Sequence, residues 1–289
     1  MEPTGYTEEY DSLYNRVWAI SKAKVDSHIA NWNQPGYQMP EVIKNWPAIS
    51  APYEDINDNA VYEPDQGEFP LIRGDRTVFC VYNDNRFAHA SAGEKLHFEV
   101  ALMYYVYDSA DEYLQNTIFV NANITNRNIY PYHNVYVGIQ SDIDIGTPND
   151  DYLGCDSTLS CYFGYNAIAT DNLYQNNIPA QGIVFLSSPI YSFNYYTNTP
   201  NMVLSDPQAP WDFYYNLSGF WKDGTPYTYG GNGYGGTQST RYVFSGDPVT
   251  GTGWSEVSEA TAPGDRRAIG AIGPFSIDPE KASVLILLM

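Results

Sequence analysis

The stretch Leu96–Val106, LHFEVALMYYV, alternates apolar side chains with a period of two. A second stretch, TIFVNANI at 117–124, repeats this alternation. Period two is typical of β-strands, because successive side chains of a strand point to opposite faces. The sequence therefore predicts two core strands. The residues predicted to share one face of the first strand are Leu96, Phe98, Val100, Leu102, Tyr104 and Val106, and those predicted to share one face of the second are Ile118, Val120, Ala122 and Ile124.

Further segments show the same alternation, and clusters of Asn, Gly and Pro between them mark turns. They are RTVFCVYND at 76–84, HNVYVGIQSD at 133–142 and QGIVFLSS at 181–188. The pattern predicts a mainly β fold, an antiparallel β-sandwich of jelly-roll type with long loops. Residues 198–253 are rich in Gly, Tyr and Asn, and we expect long ordered loops there rather than further regular strands.

A short helical segment is predicted before the strands, within EEYDSLYNRVWAISKAKVDSHIANW at 8–32. Ser21 is a candidate N-cap for a second short helix that ends near Trp32. The PEVIKNW stretch at 40–46 predicts one further helical turn. The residues on the predicted first helical face are Tyr10, Leu13, Tyr14, Val17 and Trp18.

We expect a single domain over residues 1–289, since all-β domains of this length often fold as one unit. It would comprise the helical segment at 1–34, an Asp- and Pro-rich loop at 35–75 and the sandwich at 76–289. The apolar run VLILLM at the end of the sequence predicts that the chain is a fragment of a longer protein.

The charge of the chain argues against several classes of partner. With 14 Lys+Arg against 34 Asp+Glu, the formal net charge is -20. A phosphate backbone or an anionic lipid surface would be repelled, so we expect no nucleic acid partner. We also expect no membrane insertion, because no apolar run reaches the about 20 residues that a spanning helix needs. An acidic excess does suit a protein that collects divalent cations.

The motifs of common hydrolases are absent: the sequence contains neither GxSxG nor HExxH. Two carboxylates can hydrolyse a glycosidic bond, but no spacing selects one acid and one nucleophile here. We therefore expect a protein that is not an enzyme, with a glycoside hydrolase as the alternative.

The stretch SDIDIGTPNDDYLGCDSTLSC at 141–161 gathers aspartates around Gly146, which permits a sharp turn. Calcium takes six to eight oxygen ligands, and short Asp and Asn side chains around such a turn can supply them. A calcium site and a solvated acidic turn are the two hypotheses. The candidate ligands are Asp142, Asp144, Asn149, Asp150, Asp151 and Asp156, with Asp142, Asp144 and Asp151 as the first choice.

A second candidate lies at 55–68, where Asp and Asn alternate as in the first positions of a calcium loop. Ala60 stands where such a loop has glycine, and Gln66 stands where an acidic ligand is expected. A run of Asx turns is the alternative. The candidate ligands are Asp55, Asn57, Asn59, Glu63, Asp65 and Glu68.

The cysteines favour no zinc site, because no CxxC pair occurs and the histidines lack ligand spacing. Cys155 and Cys161 lie close in sequence, and both a local disulfide and a pair of free thiols are open there. Cys80 lies in an apolar run and is predicted to be a buried packing residue.

Aromatic residues cluster in DPQAPWDFYYNLSGFW at 206–221. Aromatic faces in loops can stack on sugar rings or on partner proteins, but packing of the loops against one another is the commoner explanation.

Several stretches together resemble a module of large secreted proteins from Bacteroidota, which commonly carry a C-terminal sorting domain for type IX secretion. They include YNRVWAISKAKVDSHI, YEDINDNAVYEPDQGEFPLIRGD, VGIQSDIDIGTPNDDYLGCD, WKDGTPYTYGGNGYGG and PGDRRAIGAIGPF. The resemblance implies export and a cell-surface or extracellular location, and it brings no activity with it. The first loop of that family reads closer to DxNGDGxYxP, where this chain has Asp58, Asn59 and Ala60 in place of GDG.

The sequence thus predicts a non-enzymatic, calcium-stabilised extracellular module with a structural or adhesive role, for example in a filament or sheath. The expected partners are other protein subunits, including copies of the chain in an oligomer or polymer, or surface glycans. A carbohydrate-binding or carbohydrate-active domain is the alternative function.

Overall fold

The structure is a computed structural model that describes residues 8–85, 87–199 and 202–289. The helices are α1 Glu8–Tyr14, α2 Lys22–Asn31, α3 Glu41–Lys44, α4 Glu112–Gln115 and α5 Pro210–Ser218, with a 3-10 turn at Pro64–Gln66. The strands are β1 Trp18–Ser21, β2 Tyr53–Glu54, β3 Phe69–Pro70, β4 Arg76–Asn83, β5 Phe98–Val106, β6 Phe119–Asn126, β7 Tyr132–Asp142, β8 Asp151–Asp156, β9 Cys161–Asn166, β10 Gln181–Phe185, β11 Ser192–Thr197, β12 Arg266–Ile277 and β13 Ala282–Leu288. The prediction of a mainly β fold with antiparallel sheets is confirmed.

The chain divides into two compact units that interleave along the sequence. Unit 1 comprises Met1–Phe87, Leu96–Pro131 and Asp278–Leu288. Unit 2 comprises Ala88–Lys95 and Tyr132–Ile277, together with Met289. The boundaries between the two units differ from those of the predicted ranges 1–34, 35–75 and 76–289, because the chain passes between the units more than once. That the chain acts as a single domain stays a prediction.

Unit 1 contains antiparallel strands in the order β1-β4-β5-β6-β13. Its hydrophobic core forms on one face of these strands, where Phe79, Met103 and Tyr105 pack with Trp18 and Trp46. Val120, Ala122 and Ile124 share a buried face of β6, as predicted, whereas Ile118 precedes the strand and is 45% exposed. The predicted alternation of β5 is confirmed, but its apolar face is the less buried one. In β5 the more deeply buried residues are the alternate set Glu99, Ala101, Met103 and Tyr105.

The N-terminal segment of unit 1 is helical only in part, and the first seven residues of the predicted segment lie outside the described residues. The predicted second helix is confirmed as α2, with the Ser21 side chain accepting from the Lys24 backbone N–H. Trp18 is a strand residue paired with Phe79, so the single helical face drawn through Val17 and Trp18 is wrong. The helical turn predicted at 40–46 is confirmed as α3.

Unit 2 is a small β-sandwich. One layer has the order β11-β12-β7, and the other has β10-β9-β8. Tyr162 of β9 joins the two layers: its ring stacks on Phe193 of β11 at 5.3 Å between centroids. The Tyr162 hydroxyl donates to the Ile139 carbonyl of β7 at 2.9 Å. The finer jelly-roll topology stays a prediction.

Residues 198–253 of unit 2 include helix α5, which the sequence interpretation placed in loops. Pro210 occupies the first turn of α5, and the Asp212 carboxylate accepts from the Gln208 and Ala209 backbone N–H groups at 2.8 and 3.0 Å. Gly219 ends the helix with a φ of 94°. Both ends therefore carry ordinary helix-terminating signals. In the described part of the chain, no helix has the length and apolar character needed to span a bilayer.

Candidate metal centre

Three aspartates converge where β7 ends and β12 begins. Asp142 is the last residue of β7, Asp144 follows it by two residues, and Asp265 immediately precedes β12. One carboxylate oxygen from each lies within 4.8 Å of the others. Calcium holds its ligands at about 2.3–2.6 Å, so two oxygens on one ion lie at most about 5 Å apart. We call these residues the aspartate trio, and their spacing fits one calcium ion.

The pairing of β7 with β12 explains why residues so distant in sequence meet. The two strands are antiparallel, and Asp142 lies directly opposite Arg267. The end of one strand is therefore next to the start of the other. Asp265 was not among the predicted ligands, since only the strand pairing brings PGDRR beside DIDIG.

Arg267 partly neutralises the trio. Its guanidinium lies 3.2 Å from Asp142 Oδ2 and 2.8 Å from Asp265 Oδ1. Asn198 Nδ2 also donates to Asp265 Oδ2 at 2.7 Å. One positive charge for three carboxylates leaves two negative charges uncompensated in this arrangement.

The Asp144 carboxylate shows the effect of that excess. Its pKa is raised from the ordinary value, first by partial burial and then by repulsion from Asp142 and Asp265, while Arg267 opposes the shift. A cation between the three carboxylates would remove this repulsion.

The structure separates Asp150 and Asp151 from the trio. Asp151 is the first residue of β8 and is only 3% exposed. Its Oδ2 accepts from the Ile145 backbone N–H at 2.9 Å. Burial raises its pKa to about 6, and the negative charges of Asp150, Asp144 and Asp171 add to the shift. Asp151 is thus a buried residue at the start of β8, within electrostatic reach of Asp144, and its role as a metal ligand stays a prediction.

Two other predicted ligands, Asp156 and Asn149, lie in turns at the two ends of β8. The Asp156 carboxylate accepts from the Thr158 hydroxyl and backbone N–H and from the Leu159 backbone N–H, and these hydrogen bonds lower its pKa. It therefore closes an Asx turn after β8, outside the trio. Asn149 is exposed in the turn before β8.

Asp171 is a structural residue that the sequence interpretation missed. Its carboxylate accepts from the backbone N–H groups of Thr147, Leu173 and Tyr174 and from the Thr147 hydroxyl. Hydrogen bonding, above all from the Tyr174 N–H, lowers its pKa to about 2. It also lies directly against Gly146, whose φ of 73° confirms the predicted sharp turn.

The second candidate loop lies in unit 1, between the paired strands β2 and β3. The Asp55 carboxylate accepts from the Asn59 and Ala60 backbone N–H groups at 3.2 and 2.7 Å. Glu63 Oε2 accepts from the side-chain amides of Asn57 and Asn59 at 3.0 and 2.7 Å. The loop is therefore closed by its own Asx turns, and its acidic side chains do not form a group like the trio among the described residues.

Two further residues of this loop differ in their surroundings. Glu68 is 1% exposed and accepts from the Ile56 and Glu63 backbone N–H groups at 3.2 and 2.6 Å. Asp65 is exposed in the 3-10 turn. Asp58 and Ala60 adopt φ values of 57° and 59°, which glycine accepts more readily. Whether this loop binds metal stays a prediction.

The disulfide considered between Cys155 and Cys161 does not form: both cysteines are free thiols. In the β8–β9 pair, Cys155 lies opposite Tyr162 and Cys161 lies opposite Asp156. Because side chains alternate along a strand, the two thiols belong to different faces. Cys80 is a buried free thiol, as predicted.

The aromatic cluster at 206–221 divides between core and surface. Trp221 is 1% exposed and packs against Tyr227 with ring centroids 4.7 Å apart. Trp211 is 66% exposed on α5. A groove of about 490 Å³ lies past the end of α5, and the residues lining it include Tyr191, Phe220, Ser239, Thr240, Arg241 and Tyr242.

Comparisons with known proteins add no assignment. No model of a known protein family matches the chain, and no curated protein matches it significantly.

Proposed function

We propose that the chain is a non-enzymatic, calcium-stabilised structural or adhesive module of a secreted or cell-surface protein. The observation that carries the proposal is the aspartate trio. Its three carboxylates keep two negative charges beyond what Arg267 balances, and hard oxygen donors at this spacing suit calcium. Calcium would tie the end of β7 to the start of β12, and so stabilise the sandwich of unit 2.

Such stabilisation follows from linkage. An ion that binds only the folded chain adds about 2.7 kcal/mol to the free energy of unfolding when its concentration is 100 times its Kd. For a chain of this size, that corresponds to a rise in Tm of about 5–10 °C.

The test is thermal unfolding of chelator-treated protein with calcium added stepwise. We expect the Tm of the wild-type chain to rise, and the rise to be smaller in Asp142→Ala, Asp144→Ala and Asp265→Ala. Glu94→Gln is the matched control, since it removes one exposed negative charge from unit 2 at a distance in sequence from the trio. An equal rise in all of these variants would contradict calcium binding at the trio.

The adhesive part of the proposal concerns exposed aromatic residues rather than the whole segment 198–253. That segment supplies buried residues such as Trp221, Tyr227 and Phe244, so deleting it would remove part of the core. Trp211, Phe213 and Phe220 remain 66%, 43% and 38% exposed and are the side chains offered to a partner protein. Replacing them singly by Ala should weaken self-assembly or surface attachment without lowering the Tm by more than a few degrees.

A second candidate function, carbohydrate binding, rests on the groove past α5. Aromatic rings of Tyr191, Phe220 and Tyr242 line it beside the hydroxyls of Ser239 and Thr240. Binding sites for small ligands are commonly lined by aromatic side chains with a small number of polar groups among them. A glycan array probed with wild type and with Arg241→Ala tests this function. Carbohydrate binding in the groove predicts a signal for wild type that is weaker for the variant, because Arg241 lines the groove. The absence of signal for wild type would contradict it.

A further inference from the structure

The outer edge of β7 in unit 2 is bare, whereas the edges of two other strands of the sandwich are bonded by loops. In β11, Phe193 donates its N–H to the Arg241 carbonyl at 2.9 Å and accepts from the Val243 N–H at 3.1 Å. In β8, the Cys155 N–H donates to the Phe244 carbonyl at 3.2 Å. β7 is the last strand of the layer β11-β12-β7. Among the described residues, its main chain is bonded to no other main chain than that of β12.

The pairing of the strands shows which groups of β7 face outward. Both main-chain groups of Phe193 bond the covering loop, so they point away from β12. Gly270 lies opposite Phe193, and the two residues of such a pair both point away from each other. Gly270 therefore points to Ile139, its partner on β7. Because the direction alternates along a strand, the N–H and C=O groups of Gly138 and Gln140 face outward.

The sequence of β7 does not protect this edge. The run Val135–Ser141, VYVGIQS, contains no charged residue and no proline. Exposed sheet edges are usually blocked by such residues, by bulges or by a covering loop. Helix α5 packs on a face of the layer, since it contacts all three strands and Leu217 lies against Gly138. The edge is therefore open to a further strand.

The same run is complementary to a second copy of itself. A twofold axis at Gly138 places Val137 opposite Ile139 of the other copy, and β-branched pairs of this kind stabilise sheets. It places Tyr136 opposite Gln140 in the same way. The outward groups of residues 136, 138 and 140 of both copies then form about six N–H···O bonds. Because the run is neutral, no like charges oppose each other there, although each chain carries -20.

We propose that β7 is the homodimer contact of the chain, with two copies joined antiparallel along Val135–Ser141 into one six-stranded layer. The inference rests on the proposed structural role only in taking a copy of the chain as the partner. It requires no calcium, because the run ends before Asp142.

Hydrogen exchange of the full-length chain tests the contact without any mutation. Exchange is measured residue by residue in chelator, at a low and at a high protein concentration. We expect the amides of Gly138 and Gln140 to exchange at least about tenfold more slowly where most of the chain is dimeric. The Phe193 amide is the internal control, because its bond to Arg241 lies within one chain. Equally fast exchange of Gly138 and Gln140 at both concentrations would overturn the proposal.

Two substitutions at one position test the main-chain bonds. Gln140→Pro removes an N–H that faces outward, so it leaves the ladder between β7 and β12 without a lost bond. By sedimentation equilibrium we expect its dimer to dissociate with a Kd at least about tenfold higher than that of wild type. Gln140→Ala is the matched control, since it keeps the N–H, and it should form dimers like wild type. If Gln140→Pro does not fold, the exchange experiment alone decides.

Further outcomes separate this contact from the proposed function. A wild-type chain that stays monomeric at every concentration would overturn the β7 contact and leave calcium binding at the trio to its own test. Dimers that persist in Gln140→Pro but are lost in Trp211→Ala would also overturn it, and would assign assembly to the exposed aromatic residues. Dimers in chelator that are lost in Gln140→Pro support the β7 contact, even if calcium leaves the Tm unchanged.

Discussion

At the scale of single residues, the turn between the trio and β8 requires a residue without a Cβ atom at Gly146. Its φ is 73°, and a Cβ added there would lie 2.1 Å from Asp171 Oδ1. The Asp171 carboxylate cannot move away without losing its hydrogen bonds to Thr147, Leu173 and Tyr174. Gly146 is therefore required both by backbone conformation and by space.

We predict that Gly146→Ala lowers the free energy of unfolding by about 2–4 kcal/mol. About 1–2 kcal/mol is the cost of the left-handed conformation for an L-residue, and the rest follows from the clash with Asp171. Urea unfolding of the variant and wild type measures the difference.

Gly251→Ala is the control for that prediction. Gly251 has a similar φ of 69°, but a Cβ there would meet nothing within 4 Å. Gly251→Ala should therefore cost only the about 1–2 kcal/mol of the left-handed conformation. Equal losses in the two variants would show that the Asp171 contact contributes nothing.

At the scale of elements, strand identity was easier to predict than strand environment. The alternation in Leu96–Val106 correctly predicts β5, yet the face with the larger apolar side chains is not the more buried one. The reason is packing: Ala101, Met103 and Tyr105 lie in the core cluster, with residues from α2 and α3. Periodicity locates a face, but only the neighbours of a strand decide how deeply it is covered.

The sandwich of unit 2 offers a test of element packing at Gly270 in β12. A Cβ on Gly270 would lie 2.5 Å from the Tyr162 ring of β9. We predict that Gly270→Ala destabilises the chain by about 1–3 kcal/mol, since either Tyr162 or β12 must shift. Urea unfolding measures the loss of stability, and a change in the near-ultraviolet circular dichroism of the folded variant reports a displaced tyrosine.

Gly182→Ala in β10 is the matched strand control. Its added Cβ would have its nearest neighbour at 3.7 Å, an ordinary contact. It should be neutral or slightly stabilising, because alanine loses less backbone entropy than glycine. A loss as large as that of Gly270→Ala would contradict the close approach of β12 to Tyr162.

At the scale of the whole molecule, the net charge of -20 makes self-repulsion a general property of the folded chain. Salt shortens the range of that repulsion, from about 30 Å at 0.01 M to about 10 Å at 0.1 M ionic strength. We predict that NaCl raises the Tm of chelator-treated protein steadily over this range.

Magnesium and calcium distinguish screening from binding. At matched ionic strength, magnesium chloride should raise the Tm about as much as sodium chloride does, whereas calcium chloride should raise it further. An identical Tm in the three salts would show that the acidic groups respond to ionic strength alone.

The sequence alone determined the mainly β class, the strands β4 to β7 and β10, and the N-cap of α2. These depend on local alternation and on a side chain that bonds a backbone N–H three residues away, and both are visible in a short window. The sequence also identified Asp142 and Asp144 as candidate ligands, because they are close in the chain.

Only the tertiary structure decided the rest. Asp265 and Arg267 join Asp142 because β7 pairs with β12, and Asn166 faces Asp151 because β8 pairs with β9. Trp18 became a strand residue because β4 was available to pair with it. Pairing between distant segments sets which carboxylates meet, which are buried and which close turns, and no local pattern of residues contains that information.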